Sequence, residues 1–334
     1  MMSKHPDHDT VRAALALAVR APSVHNTQPW QWRVGDTTVH LYADDSRRLP
    51  HTDPDCRELV VSCGAALHHL RVALRAFGWE TVVHRFPNPA DPKHLAAVEF
   101  RPGEPDPAAV RLTRAISRRR SDRRRFTSWE MPAAQVSAVV AAGAGRPGVQ
   151  VREVDPTGEH ARLLRAFVDA ATTHRGDAAY NAELAAWSGH HASAQGVPAR
   201  NAVVATDPTV RPFGDPRLPE AVVHDTEESA RMLLVCTASD DLLGWLRAGE
   251  AASALLLEAT VRGLASCALS EPLEVTGVRT RIRRDLLGDF GYPQLIIRMG
   301  WAATSAEEVP ITPRLPLTDV VRPLEPLDLA STRS

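Results

Sequence analysis

The arginine-rich segment at residues 118–126, RRRSDRRRF, carries the densest set of groups that could do chemistry. Guanidinium groups donate paired hydrogen bonds to phosphate oxygens, and the hydroxyl of Ser121 adds another donor. Arginine at the end of a helix is also favoured by the helix dipole. The segment therefore indicates either a phosphate site or a solvated basic surface. Because it is short and lacks interleaved aromatic residues, it does not predict nucleic-acid binding.

A second segment, APSVHNTQPW at residues 21–30, combines two prolines with small and amide side chains. The prolines restrict the backbone, and the polar side chains between them offer donors and acceptors. Such a loop between a predicted helix and a predicted strand suits the edge of a flat heteroaromatic ring. A capped turn is the alternative interpretation. Its polar members are Ser23, His25, Asn26 and Gln28.

Other sequence patterns point to no metal or nucleotide site. The four cysteines form no C-x-x-C pair, and no third ligand stands at metal spacing from His68–His69 or His190–His191. We therefore expect no metal, and Cys267 is interpreted as a small core residue. The sequence GAGRPG at 143–148 matches G-x-G-x-x-G, but it follows a predicted helix and contains a proline, which argues against a dinucleotide-binding turn.

Composition limits the class of protein. The 334 residues are 44% hydrophobic and 24% charged, which excludes collagen-like, disordered and disulfide-scaffold proteins. Thirty-nine basic residues balance forty acidic ones, so the net charge of −1 attracts neither nucleic acid nor membranes. Because the chain has no signal-peptide pattern and no apolar run long enough to span a bilayer, we expect a cytoplasmic protein with small-molecule partners.

The elements that must position these segments follow from apolar spacing and turn residues. A cap at Asp9 or Thr10 begins the first predicted helix, and Pro22 ends it. Helices are predicted at 10–20, 55–77, 108–117, 132–142 and 249–264. Strands are predicted at 28–34, 37–43, 80–86, 94–100, 149–154 and 293–302.

The proline-rich stretch at 101–107, RPGEPDP, predicts a boundary between two halves, 1–105 and 106–334. Each half contains a long apolar helix followed by a strand, which indicates an α+β fold of two related halves. We expect two mixed, largely antiparallel sheets flanked by helices, with helices 55–77 and 249–264 packed centrally. A Pro-, Gly- and His-rich insertion at about 172–225 is interpreted as either a surface excursion or a lid.

Together the two segments resemble the motifs of the nitroreductase-like flavin family, R-R-S-x-R-x-F for the phosphate and A-P-S-x-x-N-x-Q-P-W at the flavin ring. The order found here, loop before arginine motif, is similar to that of the Acg-like branch of NAD(P)H nitroreductases, in which two nitroreductase-like halves are fused in one chain. The resemblance implies a nitroreductase-like pseudo-dimer that is a monomer in solution. It also implies one intact flavin site per chain, with ring and phosphate contacts from different halves.

Further matches lie near the C-terminus. GLASCALSEP at 263–272 resembles a family stretch followed by Glu-Gly beside the flavin; Glu271 matches, whereas Pro272 stands at the glycine and has no N–H to donate. TPR at 312–314 resembles a basic tail that returns to the phosphate. The arginine motif has one residue more than the family spacing before Phe126, which leaves open which arginines bind. The cofactor-binding residues implied by the resemblance are Pro22, Ser23, His25, Asn26, Gln28, Pro29, Trp30, Trp32, Arg119, Ser121, Arg123, Glu271 and Arg314.

The resemblance implies an FMN-dependent NAD(P)H oxidoreductase that reduces nitroaromatics or quinones by a ping-pong hydride mechanism. It requires no catalytic side chain, because the chemistry takes place on the flavin. Trp30 and Trp32 either line the site or pack in the core. An FMN-binding or flavin-storing protein is the alternative, because the insertion could cover the flavin and Pro272 removes a donor.

Overall fold

A computed structural model describes residues 4–220 and 228–324 of the chain. Residues 221–225 of the predicted insertion lie outside this described part. The N-terminal half contains, in chain order, α1 (His8–Ala18), β1 (Trp30–Val34), β2 (Thr38–Ala43), α2 (Arg57–Ala76), β3 (Trp79–Arg85) and β4 (His94–Pro102). The rest contains α3 (Pro107–Arg118), α4 (Ala133–Gly143), β5 (Val149–Glu153), α5 (Glu159–Arg175), α6 (Ala178–Ala186), β6 (Ser188–His190), β7 (Val197–Pro198), β8 (Arg231–Thr237), α7 (Leu242–Val261), β9 (Ala265–Leu269), α8 (Glu271–Glu274), α9 (Thr276–Leu287), β10 (Tyr292–Gly300), α10 (Leu317–Val320) and β11 (Val321–Pro323).

The first sheet has the strand order β11-β1-β2-β4-β3. Strands β1 to β4 pair antiparallel, as predicted for neighbouring hairpin strands, and β11 adds a parallel strand beside β1. Residues 321–323 therefore complete the sheet of the N-terminal half, although they lie far beyond the boundary predicted at 101–107. Trp32 pairs with Val321 in this contact, which ties the two halves together.

The second sheet has the order β5-β8-β10-β9, and all of its described pairs are antiparallel. The first sheet is mixed, as expected, whereas within the described residues no parallel strand joins the second sheet. Its central strands are apolar on both faces, since helices cover each side; Leu233 and Val235 face one cluster, Leu234 and Cys236 another.

Helices α2 and α7 cross at the centre of the molecule, as their apolar sequences predicted. The crossing is closest at Gly64 and Gly249: a Cβ on Gly64 would collide with the carbonyl oxygen of Leu246, and one on Gly249 with that of Val61. Val61 and Leu246 each lie three residues before the glycine of their own helix. The contact is therefore two-fold symmetric, which is the geometry expected of two related halves.

Element boundaries differ from the predictions where capping decides them. Asp7, whose carboxylate accepts from the Thr10 amide, begins α1 instead of Asp9 or Thr10. Strand β1 begins at Trp30 instead of Gln28, because Gln28 has a φ of 53° that a strand cannot contain. Helix α7 begins at Leu242, seven residues earlier than predicted, because Asp241 caps it. Within the described residues, no helix combines the length and the apolar character needed to cross a membrane.

Candidate functional site

The main cavity lies between the two halves, beside the α2–α7 crossing. It encloses about 1000 Å³ of empty space, part of which is open to solvent. Its lining combines the apolar faces of the central helices with polar groups from loops of both halves. From α2 come Glu58, Val61, Ser62 and Ala65, and from α7 come Ala252 and Leu256. A mainly apolar cavity with a few polar groups is typical of a cofactor site.

The loop at 21–30 reaches this cavity with its first half. Pro22, Ser23 and His25 line it, as predicted. The loop folds tightly because His25, Asn26 and Gln28 adopt positive φ values of 44°, 54° and 53°. The Ser23 hydroxyl accepts from the Gln28 amide at 2.9 Å, and the Val24 amide donates to the Ser62 hydroxyl at 3.0 Å. Helix α2 therefore fixes the part of the loop that faces the cavity.

The polar side chains in the second half of the loop point away from the main cavity. Asn26 donates to the carbonyl oxygen of Gly196 at 3.0 Å, and Gln28 donates to that of Ala194 at 2.8 Å. Both side chains thus bind the insertion instead of facing the cavity. Trp30 and Trp32 are fully buried in the core of the N-terminal half, the packing alternative stated for them. Neither these four residues nor Pro29 line the main cavity.

The C-terminal half supplies the other predicted cavity residues. Ser121, Arg123 and Glu271 line the cavity, and the buried Cys267 does so too. The Arg123 guanidinium lies 4.9 Å from the centre of the Phe213 ring and donates to the carbonyl oxygen of Asn201 at 3.1 Å. Residues from both halves therefore meet at one cavity.

A smaller cavity of about 290 Å³ of empty space adjoins the arginine motif. Arg119 and Arg314 line it together with Arg20 and Arg120. Within the described residues, no carboxylate forms an ion pair with Arg20, Arg119 or Arg314, although Arg120 lies 3.6 Å from the exposed Glu308. The Nε atoms of Arg20, Arg119 and Arg314 are buried without a hydrogen-bond partner. These unpaired donors surround a space for an anion.

Electrostatics in this smaller cavity favour an anion strongly. Burial and the charge of Arg120 lower the pKa of Arg119 to about 10. Burial and the charge of Arg119 lower the pKa of Arg314 to about 9. Among the described residues, the exposed Glu308 beside Arg120 is the counter-charge paired with these four cations, which therefore destabilise one another. A phosphate monoester, with up to two negative charges and three acceptor oxygens, supplies what the cluster lacks.

Other arginines of the motif have structural roles. Arg124 is buried and forms a two-oxygen pair with Asp122, at 3.0 Å and 2.8 Å. Its Nη1 also donates to the carbonyl oxygen of Glu307 at 2.9 Å. The structure thus separates the motif into Arg119 at the anion cavity, Arg123 at the main cavity and Arg124 in a structural pair.

The insertion contributes residues that sequence reasoning missed. Arg211 and Phe213 line the main cavity. Arg211 donates to His25 Nε2 at 2.7 Å and to the Tyr180 hydroxyl at 3.0 Å, and it pairs with Glu274. Phe213 packs edge-on against the His25 ring, at 5.6 Å between centres. The insertion therefore packs against the loop at 21–30, and its interpretation as a lid stays a prediction.

His25 is held neutral by this contact. Burial and the adjacent Arg211 charge lower its pKa well below the ordinary value. Because arginine can only donate, His25 Nε2 must accept, which leaves the proton on Nδ1. No local pattern marked Arg211, since its partners lie far away in sequence and its neighbours are typical of a loop.

Comparison with known proteins agrees with the motifs. No profile of a known protein family matches the chain. The chain is 45% identical over 326 residues to the Mycobacterium tuberculosis protein named "Putative NAD(P)H nitroreductase Rv3131", covering 96% of this chain and 93% of that protein. It is 36% identical over 324 residues to "Putative NAD(P)H nitroreductase acg" of the same organism, covering 93% and 95%.

Among solved structures, the FMN-dependent nitroreductase NfnB from Mycobacterium smegmatis, in complex with NADPH, matches 65% of this chain and 100% of its own, with 18% identity and a TM-score of 0.43. The sequence matches to the two Mycobacterium tuberculosis proteins run over nearly the whole of this chain and both of its halves. The chain therefore belongs to the NAD(P)H nitroreductase family, in the Acg-like branch that its two motifs indicated.

Proposed function

We propose that this protein is an FMN-dependent NAD(P)H oxidoreductase that reduces nitroaromatics or quinones in a ping-pong cycle. The observation that carries the proposal is the buried arginine cluster beside the main cavity. Arg119 and Arg314 hold unpaired donors in the smaller cavity, and Ser121 and Arg123 of the same motif line the larger one. A phosphate in the first and a ring in the second match the two ends of FMN.

The chain's own residues would bind and orient the cofactor. Arg119 and Arg314 would hold the phosphate, with Arg20 and Arg120 adding positive charge. Pro22, Ser23 and His25 would contact the ring from one half, and Ser121, Arg123 and Glu271 from the other. FMN, when bound, supplies hydride transfer between the nicotinamide and the electron acceptor. Arg123 would stabilise negative charge on the reduced ring.

One flavin site per chain follows from this assignment. In this assignment both halves of one chain contribute to a single flavin site, so the two halves would act as a pseudo-dimer and a monomer would suffice. The symmetric contact of α2 and α7 supports this proposal. We expect light scattering to give the mass of a monomer and absorbance to give one FMN per chain. Two FMN per chain would contradict the assignment.

A flavin-binding protein with little turnover is the second candidate. Arg211 and Phe213 of the insertion lie at the main cavity, where a nicotinamide would have to enter. The side chains of Asn26 and Gln28 tie the insertion down. Pro272 also lacks the N–H that the family's glycine offers. These contacts favour a covered flavin, and the two candidates differ in whether NAD(P)H reaches it.

An anaerobic visible spectrum separates the two candidates. The purified protein is loaded with FMN and mixed with NADPH or NADH, and then with dithionite. Bleaching of the yellow colour by NAD(P)H supports the reductase. Bleaching by dithionite alone supports the covered flavin, and the double variant Arg211→Ala, Phe213→Ala should then restore bleaching by NAD(P)H. Failure to bind FMN would overturn both.

A further inference from the structure

Four carboxyl groups form the wall between the main cavity and a second, polar cavity. Glu58 and Glu271 line the main cavity. Asp53 and Glu274 line the second cavity, which holds about 840 Å³ of empty space. The side chains of Glu58 and Glu274 are 4% and 1% exposed, so both carboxyls are almost withdrawn from water. Carboxylates so buried need compensating charge.

The positive groups that pair with these carboxyls carry fewer than four charges in total. Within the described residues, Arg57 pairs with Glu58 at 2.7 Å, and Arg211 pairs with Glu274. His174 lies 3.4 Å from Glu271 and 3.9 Å from Glu274. Even a protonated His174 brings the positive charges in direct contact with the four carboxyls only to three. Two further cations line the second cavity, but Arg279 pairs with Asp240 at 2.7 Å and Arg283 lies 4.2 Å from the centre of the Tyr292 ring. Glu274 Oε2 remains buried without a hydrogen bond. At least one of the four carboxyls is therefore expected to be neutral.

Hydrogen bonds indicate that the neutral group is Glu58. Asp53 accepts the backbone amides of Glu58 and Leu59 at 3.0 Å and 2.8 Å, which stabilises its anion, although burial raises its pKa. Glu274 accepts from Arg211 and, at 2.7 Å, from the Ser270 hydroxyl. Among the described residues, the Glu58 carboxyl has a single hydrogen-bond partner, with Oε1 accepting from Arg57 at 2.7 Å.

The Glu271 carboxylate is stabilised in the same wall. Burial raises its pKa, but the hydrogen bond from His174 and the charge of Arg211 outweigh burial and lower it. For Glu58 the balance is reversed: burial and the negative charge of Glu274 raise its pKa to about 8 against the opposing charge of Arg57. Glu58 is therefore mostly protonated at pH 7, with Oε2 left to carry the proton.

The other charged groups around Glu58 do not change this assignment. Asp53 adds negative charge and Arg211 adds positive charge at longer range. His25, on the loop facing α2, is neutral. Arg123 lies across the main cavity and is engaged with Phe213, and Arg298 is engaged with Thr209 at 3.2 Å. Tyr180 keeps its proton, since burial raises its pKa.

We propose that Glu58 is the proton donor of the main cavity: its neutral carboxyl hydrogen-bonds to an oxygen of the electron acceptor, a quinone or a nitro compound, and protonates it. This inference rests on the proposed function and adds a side chain to a reaction that the family resemblance assigns to the flavin alone. With FMN bound, the acceptor would receive the two electrons and one hydrogen of a hydride from the cofactor and one proton from Glu58. A quinone would then become a hydroquinone, with both of its carbonyl groups converted to hydroxyls.

The step balances with named reactants. The O–H bond of Glu58 breaks and an O–H bond on the acceptor forms, while NAD(P)H is the source of the two electrons. The Glu58 carboxylate left behind takes a new proton from solvent. Asp53, Arg57 and Glu274, whose charges act on Glu58, line the polar second cavity, which would supply that solvent. General acids of this kind contribute about 100-fold or more to a rate.

The direct test measures the oxidative half-reaction alone. FMN-loaded protein is reduced anaerobically with one equivalent of dithionite and mixed with 1,4-benzoquinone in a stopped-flow instrument. At pH 7 we expect Glu58→Gln to slow reoxidation about 100-fold. Reduction by NAD(P)H should be unchanged, because hydride transfer to the cofactor needs no proton from Glu58. In the native protein reoxidation should slow as the pH rises through about 8, and the variant should lack this dependence.

Glu250→Gln is the matched control, since Glu250 is a buried carboxylate on α7 that lines neither cavity. It should leave reoxidation unchanged. Equal rates for Glu58→Gln and the native protein would overturn the proposal. Because dithionite replaces NAD(P)H, this result is independent of whether nicotinamide reaches the flavin, and so it is distinguishable from failure of the proposed function.

Infrared spectroscopy tests the protonation of Glu58 without flavin or activity. The native protein should show the carbonyl stretch of a neutral carboxyl at pH 7, which disappears as the pH rises through about 8. Glu58→Gln should lack this band. Absence of the band from the native protein at pH 7 would overturn the proposal, even if the variant failed to fold.

Discussion

The two sides of the α2–α7 crossing are related in position and opposite in character. On one side Ala65 follows Gly64 and lines the main cavity. On the other side Glu250 follows Gly249, and its fully buried carboxylate pairs with Arg71 at 2.7 Å and with Arg85 at 2.7 Å. Related positions thus hold a methyl group in one half and an ion cluster in the other. The main cavity lies on the side where the residue after the crossing glycine is the small Ala65.

Other pairs across the crossing show the same divergence. His68 and Ser253 each lie four residues after the crossing glycine, and they hydrogen-bond to each other at 2.8 Å. The segment at 142–149 leads from α4 into β5, as the loop at 21–30 leads from α1 into β1, but it contains no amide side chain and brings in Arg146. Burial lowers the pKa of Arg146, and the nearby Glu250 opposes this effect. The helix contact has remained symmetric while the sites beside it have diverged.

The largest effect should come from breaking the symmetric contact itself. Gly64→Ala and Gly249→Ala each place a Cβ against a backbone carbonyl of the other helix, which only separation of the helices can relieve. We expect each variant to lose about 4 kcal/mol or more in free energy of unfolding. Urea denaturation measures it. Gly277→Ala, on α9 and with open space around the Cβ, is the control and should cost nothing.

Removing the Glu250 carboxylate from the ion cluster should lower the stability of the protein without creating a second flavin site. Glu250→Ala leaves Arg71 and Arg85 without their counter-charge, and we expect a loss of about 3 kcal/mol. Both arginines are partly exposed, so water limits the cost. Absorbance should still give one FMN per chain, because the N-terminal half has no arginine motif. A second bound FMN would show that the ion cluster alone separates the two sides.

Removing one positive charge from the arginine cluster at the smaller cavity should weaken FMN binding. Arg119→Met deletes one charge-assisted donor, worth about 1.5–3 kcal/mol, and should raise the Kd for FMN about 10- to 100-fold. Fluorescence titration measures it. Without FMN, the same variant should melt at a higher temperature than the native protein, since it relieves repulsion from Arg314. Arg146→Met, which removes a partly buried arginine near Glu250, should leave the Kd unchanged.

A smaller effect on stability is expected at His68, which hydrogen-bonds to Ser253 across the helix crossing. Burial lowers the pKa of His68 well below 6.5. The folded protein therefore keeps His68 neutral while the unfolded chain binds a proton, so stability falls as the pH drops below about 6.5. His68→Gln should reduce this slope by up to about 1.4 kcal/mol per pH unit. The exposed His51, replaced by Gln, should leave the slope unchanged.

Local patterns predicted most of the scaffold. The apolar face of 55–77 predicted α2 to within two residues at its start. The two segments predicted six of the residues at the two cavities: Pro22, Ser23, His25, Arg119, Ser121 and Arg123. The segments at 21–30 and 118–126 are each about ten residues long, and the apolar pattern of 55–77 is also local, so residue spacing and side-chain type are enough to predict these features.

The site residues that the sequence did not predict depend on contacts between residues far apart in the chain. Arg211 reaches His25 and Glu274, and neither partner is near it in the chain. Glu58 looked like an ordinary polar residue in the first turn of a helix; only the folding of Glu274 beside it crowds the two carboxyls. Asn26 and Gln28 were predicted at the flavin ring, but the insertion offers carbonyl groups that satisfy them first.

Strand β11 has a consequence for how the chain acquires its final form during synthesis. The edge of the first sheet is filled by Val321–Pro323, and Arg314 completes the arginine cluster just before it. Ribosomes make the N-terminus first, and domains generally fold as units as they emerge. Here the first sheet waits for a strand that is made long after its neighbours in the sheet. The N-terminal half therefore has an open edge until residues 321–323 have left the ribosome, and a flavin that needs Arg314 cannot be captured before residue 314 has done so.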